Sequence, residues 1–211
     1  MNCLIDLKNK NYTPKTILDI GANIGDFAKM CNALWPSAYI LMLEGNEMCQ
    51  PYLIHTGLDY KIVLLGDTNR QVDFYLHKTG TTCTGNSYYR ENTQHYQDCI
   101  IVKKELSRLD DIVNKKFDLI KIDTQGSELD IIKGGNNTIK NADYILLEAS
   151  IQEYNLGGPK LKDVVKYMET IGFKRYEIVE EHIWPDVSNK TANLVHGEVF
   201  QVDIMFYKND V

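Results

Sequence analysis

The stretch from Thr16 to Phe27 constrains the fold of this chain more than any other, and it reads T-I-L-D-I-G-A-N-I-G-D-F. Its first half is an apolar run with the length of a buried strand. The run ends at Gly21, and the apolar residues that follow Gly25 recur at helical spacing. We therefore predict a strand, a glycine turn and a helix that begins near Asp26. Such a turn places bare backbone N–H groups at a helix N-terminus, where a nucleotide-like ligand can approach the main chain.

The spacing of these glycines separates several interpretations. The simplest is a strand-to-helix turn whose glycines only supply positive φ. The dinucleotide fingerprint G-x-G-x-x-G does not fit, because Asn23 and Asp26 stand where it needs glycines. What remains is Asp-x-Gly-x-x-x-Gly from Asp19 to Gly25. This pattern resembles motif I of the Rossmann-like S-adenosylmethionine (SAM) methyltransferases.

Two further blocks add to this pattern. The apolar run Tyr39–Glu44 ends in an acid about 20 residues after the glycine turn, the spacing of a carboxylate that accepts from ribose hydroxyls. Residues Asp118–Gly135 read D-L-I-K-I-D-T-Q-G-S-E-L-D-I-I-K-G-G, and the next apolar run ends at Glu148. Together the blocks resemble the FkbM-type methyltransferase family, whose pattern is roughly D-x-G-A-N-x-G, E-P-N, K-I-D-x-[EQ]-G-x-E-x-x-x-L-K-G and L-x-E. Gly45 departs from it, since the family often has proline there.

The resemblance covers Thr16 to about Lys208 and implies a fold. We expect an α/β, Rossmann-like SAM-methyltransferase fold: a mostly parallel seven-stranded sheet with an antiparallel last strand and helices on both faces. The alternation of strand-like and helical segments along the chain favours the same class. The 211 residues suit a single domain, 1–211, which is either a minimal family member or one domain of a larger protein.

The middle of the chain is harder to assign. We predict the third strand over Lys61–Leu65 and edge strands over Val72–Leu76 and Ile100–Lys103. The polar stretch Thr79–Gln97 has little reason to pack and is predicted to be a long loop. The last two strands are predicted at Arg175–Val179 and Phe200–Tyr207, with a loop between them.

The resemblance implies SAM as the methyl donor, bound at the carboxyl ends of the strands. Glu44 would hold the ribose hydroxyls, the region Gly66–Asp67 would lie near the adenine, and the first turn would lie near the methionine moiety. For Glu44 the alternative is a solvated carboxylate at a strand end. The residues expected to bind the cofactor are Asp19, Gly21, Ala22, Asn23, Gly25, Glu44, Gly66, Asp67 and Asp123.

Transfer of a methyl group to a hydroxyl needs alignment and the removal of a proton, by a base or with the help of a metal. The candidate catalytic residues are Asp123, Glu148 and His182. Asp123 has an alternative role as the N-cap of the helix that follows. A divalent Mg²⁺ or Mn²⁺ ion on Asp123, Glu128 or Glu148 would also serve, although we favour the metal-free route.

The family is associated with O-methylation, often of sugars and of natural-product hydroxyls. We therefore expect an O-methyltransferase that acts on a hydroxyl of a sugar or glycan. Aromatic rings with a polar group suit sugar faces, although such residues more often only pack a loop. Glu128 has an alternative role as a partner of the helix dipole. The expected acceptor contacts are Gln125, Glu128, Tyr88, Tyr154 and Trp184.

Two other functions stay open at this point. One is a methyltransferase for a small natural product or for RNA, and the other is a non-catalytic sugar- or nucleotide-binding module. The net charge of −6 and the scattered basic residues argue against a nucleic-acid partner. No apolar run reaches the length of a membrane span, and no signal peptide is recognisable. Five cysteines without a C-x-x-C pair favour free thiols, so we expect a cytoplasmic protein of open oligomeric state.

Overall fold

The computed structural model describes residues 2–79, 84–185 and 194–208, which alternate between strands and helices. In chain order the strands are β1 (Thr16–Ile20), β2 (Tyr39–Glu44), β3 (Asp59–Ile62), β4 (Leu64–Gly66), β5 (Arg70–Leu76), β6 (Ile100–Arg108), β7 (Leu119–Ile122), β8 (Tyr144–Ser150), β9 (Arg175–Ile183) and β10 (Val199–Tyr207). The helices are α1 (Asn2–Asn9), α2 (Asp26–Leu34), α3 (Gln50–His55), α4 (Leu109–Ile112), α5 (Glu128–Gly134), α6 (Asn136–Ile139) and α7 (Leu161–Thr170). Single 3₁₀ turns occur at Glu47–Cys49 and Gln94–Tyr96.

Seven strands form the larger sheet in the order β3-β2-β1-β7-β8-β10-β9. All neighbours in it run parallel except β10, which is antiparallel to both β8 and β9. The predicted Rossmann-like α/β fold, with its antiparallel last strand, is therefore confirmed. The strand order reverses between β1 and β7: the strands that follow β1 lie on one side of this pair, and those that follow β7 lie on the other. A crevice therefore opens at the carboxyl ends of β1 and β7.

Helices cover both faces of this sheet, as predicted. On one face, Leu18 and Ile20 of β1 pack in a core shared with α4 to α7. On the other face, Ile17 packs in a core shared with α1, α2 and α3. Helix α1 was not predicted, yet its Leu4 and Leu7 are buried there. Because β1 is buried on both faces, its sequence is an unbroken apolar run apart from Asp19.

The predicted third strand, Lys61–Leu65, is wrong in its second half. Its first part lies in β3, and the last bond to the larger sheet runs from Val63 N to Glu44 O (2.7 Å). After Val63 the chain leaves that sheet, and β4 pairs with β6 in a second, three-stranded sheet of order β4-β6-β5. The two predicted edge strands, Val72–Leu76 and Ile100–Lys103, thus pair with each other rather than extend the larger sheet.

The polar stretch Thr79–Gln97 is also packed more closely than predicted, in the part that the structure describes. Ser87, Thr93 and Tyr96 are buried. Ser87 pairs with Tyr75 of β5, and the Tyr96 hydroxyl donates to Asn86 Oδ1 (2.9 Å). The polar side chains satisfy one another, so the segment can pack although its composition resembles that of a solvated loop.

Two smaller expectations concern thiols and membranes. Cys3, Cys31, Cys49 and Cys99 are free, as predicted, and Cys83 lies outside the described residues. Within the described ranges, no helix is long and apolar enough to cross a membrane.

Candidate functional site

A cavity of about 340 Å³ opens at the carboxyl ends of β1, β2, β7 and β8. Its side wall comes from β4, β5 and the segment after β5. Three carboxylates line it, and the described lining contains no Lys or Arg. The lining consists of Ile20, Gly21, Asn23, Leu43, Glu44, Gly45, Asn46, Cys49, Val63, Leu64, Leu65, Phe74, Thr84, Asn86, Ser87, Asp123, Thr124, Gln125, Ser127, Ile131, Glu148, Tyr154 and Gln201.

The glycine turn after β1 forms one wall of this cavity. Gly21 has a φ of +75°, and a Cβ added there would lie 1.8 Å from the Asp123 carbonyl oxygen. Glycine is therefore required because the end of β7 approaches the turn, as well as for its positive φ. Gly21 and Asn23 line the cavity, whereas Asp19, Ala22 and Gly25 lie outside its lining. Gly25, with a φ of +82°, instead caps the start of α2.

Glu44 lies at the end of β2, as predicted, and it lines the cavity. One carboxylate oxygen accepts from Asn23 N (2.7 Å) and the other from Asn46 N (2.8 Å). Burial raises the pKa of Glu44, and these two backbone amides oppose the shift. A carboxylate accepts about four hydrogen bonds, so Glu44 is fixed in orientation and still able to accept from a ligand.

A buried lysine that was not among the predicted site residues lies behind the turn. Lys121 Nζ is 3.7 Å from Asp19 Oδ1 and 3.3 Å from Asp123 Oδ2, and it donates to the Gly21 carbonyl oxygen (3.4 Å). Burial alone lowers the pKa of Lys121, but the two carboxylates raise it, and the net shift is upward. A charged residue inside the buried strand β7 was the available sequence signal for this role.

Asp19, which was predicted to bind the cofactor, is completely buried and does not line the cavity. Burial raises the pKa of Asp19, and the Lys121 ammonium opposes that shift. The ammonium joins the β1 acid to the glycine turn and to the end of β7. Asp19 thus helps to hold the wall of the cavity rather than to form its surface.

Two predicted catalytic acids meet at the other end of the cavity. Gln125 Nε2 donates to Asp123 Oδ1 (3.2 Å) and to Glu148 Oε2 (2.8 Å). Gln201 Nε2 also donates to Glu148 Oε2 (2.8 Å). The side chain of Asp123 is 36% exposed, so it is accessible from the cavity. The amides of Gln125 and Gln201 hold the two carboxylates side by side.

The environment of Glu148 is unusual for an acid. Burial raises its pKa well above the ordinary value, and the neighbouring carboxylates of Asp123, Glu128 and Asp203 add to the rise. Asp203 lies directly opposite Glu148 in the β8–β10 register. Gln201 and Asp203 were both absent from the predicted site, because only the strand pairing brings β10 next to β8.

Glu128 does not line the cavity. Its Oε1 accepts from Thr124 N (2.9 Å) and its carboxylate from Gly126 N (3.1 Å), so it supports the loop between β7 and α5. Burial raises the pKa of Glu128 to about 7, against the effect of these amides. The cavity lining does not include it, and Asp123, Glu128 and Glu148 are not gathered as one set of metal ligands. The geometry thus favours the supporting role for Glu128 over contact with the acceptor.

The region predicted to lie near the adenine, Gly66–Asp67, does not line the cavity, whereas the two preceding residues, Leu64 and Leu65, do. Gly66 instead packs against α5, where a Cβ on Gly134 would lie 2.0 Å from the Gly66 carbonyl oxygen. Asp67 forms an ion pair with Arg70 outside the cavity.

Of the three aromatic residues predicted to contact the acceptor, only Tyr154 lines the cavity. The Tyr88 hydroxyl donates to Oδ2 of the buried Asp130 on α5 (3.1 Å). Trp184 is buried against Phe200, with ring centroids 5.2 Å apart. Tyr88 and Trp184 therefore pack the structure around the cavity instead of forming its surface.

His182 was expected in a loop between the last two strands. It lies instead within β9, because that strand continues to Ile183. Its Nε2 is 3.4 Å from Asp203 Oδ1, and it does not line the cavity. His182 is therefore placed behind Glu148 and Gln201, where it can act on the cavity only through other side chains.

The sequence matches a known family over most of its length. Residues 19–175 match the family described as the Methyltransferase FkbM domain. The match begins at Asp19 and includes the glycine turn, Glu44 and both acids, Asp123 and Glu148. No curated protein matches the chain significantly in sequence.

Solved structures resemble the chain in fold. The methyltransferase FkbM of Methylobacillus flagellatus KT is 18% identical with a TM-score of 0.58, and the match covers 92% of this chain but 43% of that one. Precorrin-6y C5,15-methyltransferase of Geobacter metallireducens GS-15 is 14% identical with a TM-score of 0.51, covering 97% of this chain and 87% of that one. The N-terminal domain of EvdMO1, solved with SAH bound, is 11% identical with a TM-score of 0.52, covering 99% and 80%. The chain thus spans less than half of the FkbM structure that it resembles.

Proposed function

The chain belongs to the FkbM methyltransferase family, and on that premise we propose that it is a SAM-dependent O-methyltransferase that methylates a hydroxyl of a sugar or glycan. One observation carries the proposal. A single cavity has Glu44 at one end, the pair Asp123 and Glu148 at the other, and the Gly21 turn between them. This is the arrangement needed to bind a nucleoside-like donor and remove a proton from an acceptor.

The residues at the β2 end fit the donor. Glu44 has two oxygens fixed by backbone amides and can accept further hydrogen bonds, as ribose hydroxyls require. Leu64 and Leu65 offer an apolar wall beside it for a flat base. We call Gly21, Asn23, Glu44 and Asn46 the donor half. The volume of about 340 Å³ lies within the range of small-molecule sites.

The charge of the cavity also fits. When bound, SAM supplies a methyl group carried on a positively charged sulfur. The described lining has three acidic side chains and no Lys or Arg, so it suits such a cation better than an anion. The same lining offers no basic side chain to the phosphates of RNA, which makes an RNA acceptor the weaker alternative.

Asp123 is the base that removes the proton from the acceptor hydroxyl. Its carboxylate is accessible from the cavity, while Lys121 and Gln125 fix both of its oxygens. A fixed carboxylate at the reaction centre lowers the cost of aligning base and hydroxyl. Glu148, held by Gln125 and Gln201, orients the hydroxyl beside it.

Polar side chains surround this end of the cavity. Besides Glu148, the lining includes the amides of Gln125 and Gln201 and the ring of Tyr154. We call these four residues the acceptor half. Amides and carboxylates can bind several hydroxyls at once, and a tyrosine ring can cover an apolar sugar face. This combination supports a polyhydroxylated acceptor over an apolar natural product.

A transfer assay tests the proposal. The chain is incubated with SAM that carries a labelled methyl group, against a panel of mono- and oligosaccharides, natural-product alcohols and RNA. We expect label in a sugar, and none with Asp123→Asn. If label appears only in RNA or in an apolar alcohol, the proposed sugar acceptor is wrong and that compound is the acceptor. Donor binding by calorimetry without transfer to any acceptor would favour a non-catalytic binding module.

A further inference from the structure

Three side chains from three adjacent strands converge behind the acceptor half. They are Glu148 of β8, Asp203 of β10 and His182 of β9. Glu148 lies opposite Asp203, and His182 lies opposite Gln201, two residues away on the same strand. One ligand atom from each of the three lies within 4.8 Å of the others. Sheet pairing therefore fixes this cluster, so it does not depend on a loop conformation.

The imidazole of His182 is poorly satisfied in this cluster. Its Nε2 has almost no exposed surface and, among the described residues, no well-formed hydrogen bond. The nearest polar atom that the structure gives it is Asp203 Oδ1 at 3.4 Å, beyond the usual 2.7–3.2 Å of an N–H···O bond. A buried imidazole nitrogen normally has a partner, so this one is positioned to donate its lone pair instead.

The carboxylates of Glu148 and Asp203 are also arranged in a way that suits a bound cation. Glu148 Oε2 accepts from Gln125 and Gln201, which fixes the carboxylate and leaves Oε1 free of these amides. Hydrogen bonds of this kind commonly orient the ligands of metal sites. Like charges directly opposite on antiparallel strands, such as Glu148 and Asp203, destabilise a sheet. A cation between them would turn this repulsion into attraction.

We propose that Glu148, His182 and Asp203 bind a divalent transition metal such as Mn²⁺ or Zn²⁺. One imidazole nitrogen with two carboxylates suits these ions, whereas Mg²⁺ and Ca²⁺ prefer oxygen ligands alone. The ion ties the edge strand β9 to β10 and β8, and it fixes Glu148 at the cavity wall. This ligand set shares only Glu148 with the set predicted from the sequence. The inference is independent of methyl transfer, because binding can be measured without SAM or an acceptor.

Manganese titration tests the proposal directly. The full chain, stripped of metal with EDTA and dialysed, is titrated with Mn²⁺ while electron paramagnetic resonance records the free ion. We expect one bound Mn²⁺ per chain, displaced by Zn²⁺. His182→Gln and Asp203→Asn should each weaken binding about tenfold or more, the size of effect seen when metal sites are perturbed. His196→Gln, at an exposed histidine, is the matched control and should bind as the wild type does.

A second measurement avoids the variants, in case they fail to fold. Wild-type crystals grown with Mn²⁺ are examined by anomalous diffraction. A peak between Glu148, His182 and Asp203 supports the site. The proposal is overturned if the wild type binds no Mn²⁺, if His182→Gln binds as tightly as the wild type, or if the peak lies elsewhere.

Discussion

The donor half and the acceptor half of the cavity are built in different ways. The donor half comes from residues 21 to 46, and its bonds run from backbone amides to one carboxylate, Glu44. The acceptor half comes from residues 125 to 201, and its bonds join side chains that lie far apart along the chain. A site built from local backbone leaves a sequence signature of glycines and spacing. A site built from distant side chains also includes residues, such as Gln201, that only strand pairing brings to the cavity.

We expect the donor half to lose SAM binding when its backbone is disturbed. Gly21→Ala should abolish SAM binding, because the new Cβ would lie 1.8 Å from the Asp123 carbonyl oxygen. Gly57→Ala is the matched control, since Gly57 has a similar φ of +70° with nothing within 4 Å of the added Cβ. It should cost only the backbone strain of about 1–2 kcal/mol. Calorimetry with SAM and thermal unfolding measure both effects, and normal SAM binding by Gly21→Ala would contradict the assignment of the turn.

Asp123 lies where the two halves meet, so its substitution should affect turnover more than binding. Asp123→Asn keeps the shape but removes the charge, and kcat should fall about 10²–10⁴-fold, the usual contribution of a general base. The Kd for SAM should change far less. Asp67→Asn, outside the cavity, is the control and should leave both values unchanged. Near wild-type turnover by Asp123→Asn would direct the search to Glu148.

A side-chain change in the donor half should affect donor affinity alone. Glu44→Ala should weaken SAM binding by about 1–3 kcal/mol, because buried ribose hydroxyls lose a charged acceptor. Glu47→Ala removes a nearby exposed acid that pairs with Lys104, and it should have no such effect. Equal SAM affinities for Glu44→Ala and Glu47→Ala, measured by calorimetry on folded protein, would remove Glu44 from the donor half.

The smallest expected effect lies in the acceptor half. Gln201→Leu removes one of the two amides that hold Glu148, and kcat/KM for the acceptor should fall about tenfold, as for one hydrogen bond to a charged group. SAM affinity should stay the same. Gln71→Leu, at an exposed residue of the second sheet, controls for the substitution itself. A parallel loss of SAM affinity in Gln201→Leu would show that the two halves are not separable.

The same contrast explains what could be predicted from the sequence. The bounds of β1, α2 and the end of β2 at Glu44 were predicted correctly, because apolar periodicity and glycine are local signals. The second sheet was missed because nothing local distinguishes β4 from a continuation of β3. Pairing with β6, more than 30 residues later in the chain, makes that choice.

Some residues around the cavity were not predicted from the sequence, for a related reason. Gln201 and Asp203 belong to a strand whose alternation gives no sign of what its polar face meets. Only the antiparallel insertion of β10 between β8 and β9 places them beside Glu148. Conversely, Tyr88 and Trp184 lie in segments near the cavity, but their side chains pack elsewhere. The sequence therefore predicted which segments lie near the cavity better than it predicted which side chains point into it.

A crystal structure with S-adenosylhomocysteine, the product left by SAM, tests the division of the cavity most directly. We expect the ribose hydroxyls to donate to Glu44 in the donor half. The sulfur should then face Asp123, at the border with the acceptor half. A ligand bound outside this cavity, or bound in it with its ribose away from Glu44, would contradict the proposed division into a donor half and an acceptor half.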